Sequence, residues 1–354
     1  MSCTHPRIMA VCNIKDIAWP SIKRLEELNW KFNYNRGLAY RLVAKDSREV
    51  PLEDIPSWRR LEDMEIPCGH CIQCRLDYSK TWAIRCCHEA SMYEHNYFIT
   101  LTIDDDNLQY GKTGNPTLDK KRFTQFVKAV RKKFERLGHV GVRFFGCGEY
   151  GSGDGSRGLN PHYHLILFNC PLSDLSLDFV CDDGSIVRKT SSCGEPLYFS
   201  QFIKDCWPYG FITVEDANYR TEAYVSRYIL KKQGLSESLV FDKNLAVIPP
   251  FLRMSNRPAI GSTYFEDNEQ FLIDNPLLII PRDRKEPLVT GLPRFYKKKI
   301  LENHPELYDN MLSKSKDNTF KARSLIAGKD FINNQRASKE IHVLKAFQAY
   351  DRDL

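Results

Sequence analysis

The chain contains the stretch Pro161-His162-Tyr163-His164-Leu165-Ile166-Leu167-Phe168, an apolar run that begins with two closely spaced histidines. Neighbouring residues of a β-strand point to opposite faces of a sheet, so His162 and His164 would share one face and Tyr163 would occupy the other. Two adjacent imidazoles supply half of a metal site. The chain has nine histidines, so a chance pair in an ordinary structural strand remains the alternative interpretation.

Hydrophobic periodicity around this stretch predicts alternating strands and helices. The predicted strands span residues 97–103, 140–146, 162–168 and 211–214, and the predicted helices span residues 118–137, 199–206 and 219–232. This order, β-α-β-β-α-β-α, predicts an α+β fold class: a ferredoxin-like antiparallel sheet with helices packed on one face.

The sequence outside this region is less periodic. We expect an N-terminal elaboration over residues 1–69, a core over 70–234 and a C-terminal elaboration over 235–354. Residues 314–354 alternate basic and apolar side chains, which predicts either a solvated surface helix or a basic, DNA-binding arm.

The composition is that of a globular protein, with 42% hydrophobic and 27% charged residues. No stretch approaches the roughly 20 apolar residues that span a bilayer, and the start lacks the pattern of an export signal. We therefore expect a cytoplasmic protein with no membrane partner. The net charge of +6 is compatible with phosphate binding but does not identify a ligand.

Glu149 follows the second predicted strand, just before a glycine-rich turn. Antiparallel pairing of this strand with the histidine strand would bring the carboxylate near His162 and His164. Two imidazoles and one carboxylate leave coordination positions open on a divalent ion, as polarisation of a phosphate oxygen requires. A solvated turn residue is the alternative for Glu149, and Asp104 or Asp105 is the reserve third ligand.

Tyr224 and Tyr228 are spaced by four residues in the last predicted helix and would lie on one helical face. Arg227 and Lys231, each one turn beyond a tyrosine, are suited to holding phosphate or favouring a phenolate. Taken alone, two aromatic residues at this spacing more often pack in a core.

In these motifs and their order, the chain resembles the HUH endonucleases, and within them the replication initiators of the Microviridae, especially the gokushovirus type. The similar segments are Phe98-Ile99-Thr100-Leu101-Thr102 with Asp104 and Asp105, Pro161-His162-Tyr163-His164-Leu165, and Tyr224-Val225-Ser226-Arg227-Tyr228 with Lys231 and Lys232. Further similar stretches lie at residues 67–75, 207–210 and 254–261.

The resemblance implies a rolling-circle replication initiator that nicks and rejoins single-stranded viral origin DNA through a 5′-phosphotyrosine. It implies Mg²⁺ or Mn²⁺ as cofactor, host helicase and polymerase as partners, and the cytoplasm of a bacterial host as location. The implied residues are His162, His164 and Glu149 for the metal, Tyr224, Tyr228 and Lys231 for catalysis, and Arg227 and Lys232 for DNA binding.

A C-x-x-C-x-x-C motif is formed by Cys68, Cys71 and Cys74. With Cys3, or with His5, these thiolates would complete a tetrahedral structural zinc site. The usual second C-x-x-C pair is missing, so reduced thiols without metal are the alternative.

Two other functions compete with the nicking enzyme. A non-catalytic DNA-binding protein would use the tyrosines for stacking on bases and would need no Mg²⁺ or Mn²⁺. A zinc-dependent hydrolase would use the two histidines and Glu149, but it leaves the tyrosine pair unexplained.

Overall fold

The computed structural model describes residues 7–13, 27, 31–33, 38–43, 60–69, 71–151, 160–181, 183–191, 194–231, 247–275, 277–282 and 285–308. The chain forms two compact units, which are divided after Arg75. The predicted basic segment at 314–354 lies outside the described residues.

The first unit contains a four-stranded sheet in the order β2-β3-β1-β4. Its strands are β1 (Arg7–Asn13), β2 (Lys31–Asn33), β3 (Leu38–Val43) and β4 (Arg60–Ile66). Strand β1 pairs antiparallel with β4, and Arg7 lies opposite Ile66 at the end of β4. Helix α1 (Ile72–Ala90) begins shortly after that end.

The second unit contains most of the described elements. Its longer strands are β5 (Asn96–Thr102), β8 (Arg143–Tyr150), β9 (Pro161–Phe168), β12 (Ile212–Asp216), β13 (Phe251–Met254), β14 (Leu277–Arg282) and β15 (Lys285–Gly291), and the short ones are β6 (Gln109–Tyr110), β7 (Pro116–Thr117), β10 (Asp178–Val180) and β11 (Ile186–Arg188). Its helices after α1 are α2 (Lys120–Arg136), α3 (Gln201–Cys206), α4 (Tyr219–Lys231), α5 (Ser262–Asp274) and α6 (Arg294–Asn303).

The central sheet has five strands in the order β12-β5-β9-β8-β13, and every neighbouring pair is antiparallel. Its first four strands, joined in the sequence β-α-β-β-α-β, have the ferredoxin-like strand order. The predicted α+β class is confirmed, and the predicted elements occur with bounds that differ by a few residues. Strand β13 comes from the expected C-terminal elaboration, yet it pairs with β8 and completes the sheet.

One face of the sheet packs against α2 and α3. Asp119 accepts hydrogen bonds from two backbone amides of α2 and so caps its start. The hydroxyl of Tyr163, which is fully buried, donates to the Asp119 carbonyl oxygen at 3.1 Å and accepts from the Asp119 amide at 2.8 Å. The residue between the two histidines therefore fixes β9 to the beginning of α2.

The opposite face packs against α1 and α4, so the expectation of helices on a single face is wrong. The reason is that this face is apolar as well, and an apolar sheet face must be covered. The residues that form its buried cluster are Cys86, Phe98, Phe145, Cys147, Ile166, Phe168, Val225 and Ile260. His162 and His164 lie on this second face, which α4 partly covers.

No helix in the described part of the chain is both long enough and apolar enough to cross a membrane.

Gly146 lies where β8, β9 and α2 meet. A Cβ atom at this position would lie 2.5 Å from the Cβ of Leu165 and 2.9 Å from the ring of Phe123. These separations are far below van der Waals contact, so the missing side chain is what permits α2 to approach the sheet.

We predict that Gly146→Ala lowers the free energy of unfolding by about 1–3 kcal/mol, because the added methyl overpacks the core. Gly291→Ala on β15 is the matched control, since a Cβ there meets nothing within 4 Å. Urea denaturation of both variants measures the effect. Equal stability of the two would contradict the described packing around Gly146.

Candidate metal and nucleophile site

The site is built by the pairing of β8 with β9. In this register Glu149 lies directly opposite His162, and Cys147 lies opposite His164. Paired residues of antiparallel strands point to the same face, so the carboxylate and both imidazoles meet on one side of the sheet.

The three side chains lie within hydrogen-bonding distance. Glu149 Oε1 is 2.8 Å from His162 Nε2 and 3.0 Å from His164 Nε2. Glu149 and His164 are buried, whereas the His162 side chain retains 16% of its exposure. The site is therefore enclosed on the sheet side and reachable beside His162.

Two further contacts orient the imidazoles. His162 Nδ1 donates to the carbonyl oxygen of Asn160 at 2.8 Å, and His164 Nδ1 is 3.0 Å from the hydroxyl of Thr100. Phe98 stacks on His164 with a centroid separation of 5.5 Å. With Nδ1 engaged in this way, the Nε2 lone pair of a neutral imidazole is directed at the site, which is the form that binds a metal ion.

The electrostatics of the site centre on Glu149. Burial raises the pKa of this carboxyl, but the charges and hydrogen bonds of His162 and His164 outweigh burial and lower the pKa to about 2. The carboxylate is therefore ionised in this enclosed position and needs positive charge beside it. An imidazolium or a bound cation supplies that charge.

The chemistry of the donor set fits a divalent cation. Of the groups of three or more metal-binding side chains in the described ranges, one consists of Glu149, His162 and His164. The reserve ligand Asp104 instead accepts hydrogen bonds from the backbone and side-chain nitrogens of Asn107 at 3.0 and 2.7 Å. Asp105 begins the short 3-10 helix that follows and does not belong to this group.

Helix α4 brings Tyr224 to the histidines. The ring of Tyr224 lies edge-on to His164, with 5.1 Å between centroids, and edge-on to Phe98 at 5.8 Å. It is half-buried beside the metal-binding group. Arg227, Tyr228 and Lys231 lie further along α4, with side chains outside the described part, and Lys232 lies beyond the described residues.

A buried acid holds the first turn of α4. The carboxyl of Glu222 is fully buried and accepts a hydrogen bond from the thiol of Cys87 on α1. Burial raises the pKa of Glu222 to about 8, although the bond from Cys87 opposes this shift. The protonated acid thus joins α1 to the helix that carries Tyr224.

The sulfurs of Cys68, Cys71 and Cys74 lie together in the first unit, within 4.8 Å of one another. Cys3 and His5, the expected sources of a fourth ligand, lie outside the described residues.

Sequence interpretation missed Thr100 and Asn160 as partners of the histidines. Thr100 belongs to a motif that was recognised, and strand alternation places it on the same face as Phe98. Only the register between β5 and β9, which sets Thr100 opposite His164, makes it a partner.

Comparison with known proteins identifies relatives of this chain. The family model of the replication-associated protein ORF2 matches residues 96–233. Replication-associated protein ORF2 of Spiroplasma virus 4 is 34% identical over 244 residues, which cover 68% of each chain. Replication-associated protein VP4 of Bdellovibrio phage phiMH2K is 29% identical over 252 residues, which cover 70% of this chain and 71% of the relative. No solved structure matches the chain significantly.

We predict that Thr100→Val weakens Mn²⁺ binding at this site about 10-fold, because loss of a partner that orients a ligating histidine typically costs 10–100-fold in affinity. Thr100→Ser keeps the hydroxyl and should bind nearly as wild type. Thr213→Val alters the residue paired with Thr100 on β12 and serves as a control. Calorimetric titration with Mn²⁺ measures all three, and unchanged affinity in Thr100→Val would contradict the orienting role.

The second prediction concerns Glu222. Its pKa is raised on folding, so its contribution to stability is complete below the unfolded value near 4.5 and is lost as the pH rises towards about 8. Glu222→Gln remains neutral and should remove this loss, which is on the order of 2–4 kcal/mol between pH 5 and pH 8. Glu302→Gln, an exposed change on α6, should leave it intact. Urea denaturation at both pH values provides the test, and equal pH dependence of wild type and Glu222→Gln would refute the assignment.

Proposed function

Because this chain belongs to the replication-associated protein ORF2 family of phages, we propose that it initiates rolling-circle replication by nicking and rejoining single-stranded origin DNA. The observation that carries the proposal is the convergence of Glu149, His162 and His164 beside Tyr224. A phenol next to a group of metal ligands is suited to attack on a phosphodiester.

The residues that would hold the metal are Glu149 Oε1 and the Nε2 atoms of His162 and His164. A bound Mg²⁺ or Mn²⁺ would supply Lewis-acid polarisation of the scissile phosphate and stabilise the charge of the transition state. The buried carboxylate and the oriented imidazoles are arranged before the DNA binds, so the donor set needs little reorganisation.

The Tyr224 hydroxyl is the proposed nucleophile for cleavage. Its oxygen forms a bond to phosphorus while the bond from phosphorus to the 3′ oxygen breaks, and the departing 3′ oxygen gains a proton as the phenol loses one. The products are a 5′-phosphotyrosine and a free 3′-OH. The energy of the phosphodiester is retained in the new bond, so a later 3′-OH can reverse the step and rejoin the strand.

Tyr228 follows Tyr224 by one helical turn and is the proposed second nucleophile. It would cut the regenerated origin after one round of synthesis, while the released 3′-OH attacks the first phosphotyrosine. Lys231 is proposed to assist at the reacting phosphate. Arg227 and Lys232 are proposed to contact neighbouring phosphates, because positive side chains hold a DNA backbone without regard to its sequence.

The proposed partners follow from the products. A free 3′-OH needs a polymerase and a helicase, which the bacterial host would supply in its cytoplasm.

We predict that wild-type protein forms a covalent adduct with a single-stranded origin oligonucleotide when Mn²⁺ is present. Tyr224→Phe and Tyr228→Phe should each retain some adduct and lose strand joining, and the double variant should form none, because only the nucleophilic oxygens are removed. Tyr219→Phe, on the same helix but packed in a different cluster, is the matched control. Denaturing gel electrophoresis of end-labelled DNA measures adduct and joined product.

The same assay separates this proposal from simple DNA binding. A non-catalytic protein would retard the oligonucleotide in a native gel without metal and yield no adduct that survives denaturation. Full adduct formation by the double variant would refute the tyrosine mechanism.

A further inference from the structure

Three cysteines cluster between the end of β4 and the start of α1. The sulfurs of Cys68, Cys71 and Cys74 lie within 4.8 Å of one another, and those of Cys68 and Cys74 are 3.9 Å apart. All three are reduced thiols. The proposed nicking reaction uses none of them.

The surroundings of these sulfurs are suited to negative charge. The backbone amide of Cys71 donates to Cys68 Sγ at 3.3 Å. The cluster lies at the first turn of α1, a helix of 19 residues, and the positive end of a helix stabilises nearby anions. The guanidinium of Arg75 interacts with the charges of Cys71 and Cys68. Positive charge beside the cluster offsets the excess negative charge of several thiolates around one divalent ion.

The distances between the sulfurs distinguish two kinds of occupant. Ligands about 2.3 Å from a tetrahedral zinc ion are separated from one another by about 3.8 Å, which agrees with the 3.9 Å between Cys68 and Cys74. The C-x-x-C-x-x-C spacing also occurs in proteins that bind iron–sulfur clusters. There each thiolate binds a different iron atom, so the sulfurs must lie farther apart than in this structure.

We propose that Cys68, Cys71 and Cys74 bind a structural zinc ion that is separate from the site of Glu149 and fixes the connection between β4 and α1. Strand β4 ends at Ile66, where it pairs with Arg7 of β1, and α1 begins at Ile72. A shared metal ties the end of this strand to the first turn of the helix. Three thiolates fill three of the four tetrahedral positions; Cys3 stays a prediction for the fourth.

The test uses the full chain purified without chelators, with metal content measured by mass spectrometry. We expect about one zinc per chain in the wild type, loss of that zinc in the Cys68→Ser/Cys71→Ser double variant, and retention in Cys181→Ser. Cys181 is a partly buried thiol outside the cluster and is therefore the matched control.

Exchange of the metal for Co²⁺ separates this site from the Glu149 site, because only thiolate ligands give sulfur-to-cobalt charge-transfer absorption. The band should be present in the wild type and in Cys181→Ser and absent in the double variant. Absence of the band in wild-type protein, its persistence in the double variant, or stoichiometric iron with labile sulfide would overturn the proposal. If the double variant does not fold, the wild-type cobalt spectrum and metal content decide the question.

Discussion

The antiparallel register that sets Glu149 opposite His162 is the constraint on which the site depends. A slip of one residue between β8 and β9 would move both imidazoles to the face packed against α2 and bring Tyr163 to the site. Tyr163 opposes that slip, because its hydroxyl is held by both backbone groups of Asp119. Gly146 opposes it as well, since only a residue without a side chain fits between Leu165 and Phe123. The packing on one face thus fixes the chemistry on the other.

The cost of this arrangement is an ionised carboxylate in an enclosed place. An isolated buried charge is strongly unfavourable, and it persists only when paired with opposite charge and hydrogen-bonded. Glu149 satisfies the condition through His162 and His164, and the same three groups offer a cation one oxygen and two nitrogens. Helix α4 then covers this face, so the position of Tyr224 is set by the packing of Phe98, Val225 and Ile166.

Much of this arrangement is predictable from sequence, because strand alternation alone places His162 and His164 on one face and Tyr163 on the other. The order of elements also predicts the α+β sheet and suggests that Glu149 approaches the histidines. Periodicity does not reveal which residues of neighbouring strands pair, so Thr100 was not identified as the partner of His164. It also does not show how many faces of a sheet need cover, so the positions of α1 and α4 came only from the structure. Spacing identifies the cysteine motif, but only the distances between its sulfurs distinguish a single ion from a cluster.

The central claim is that one cation, held by Glu149, His162 and His164, also contacts the phosphate of bound DNA. Pulsed electron paramagnetic resonance of the Mn²⁺-loaded protein tests it directly, since couplings to ¹⁴N and ³¹P report ligands of the same ion. We predict couplings to two imidazole nitrogens in the protein alone and an added phosphorus coupling when a single-stranded origin oligonucleotide binds. Mn²⁺ without imidazole nitrogen couplings, or without phosphorus coupling in the DNA complex, would contradict the account.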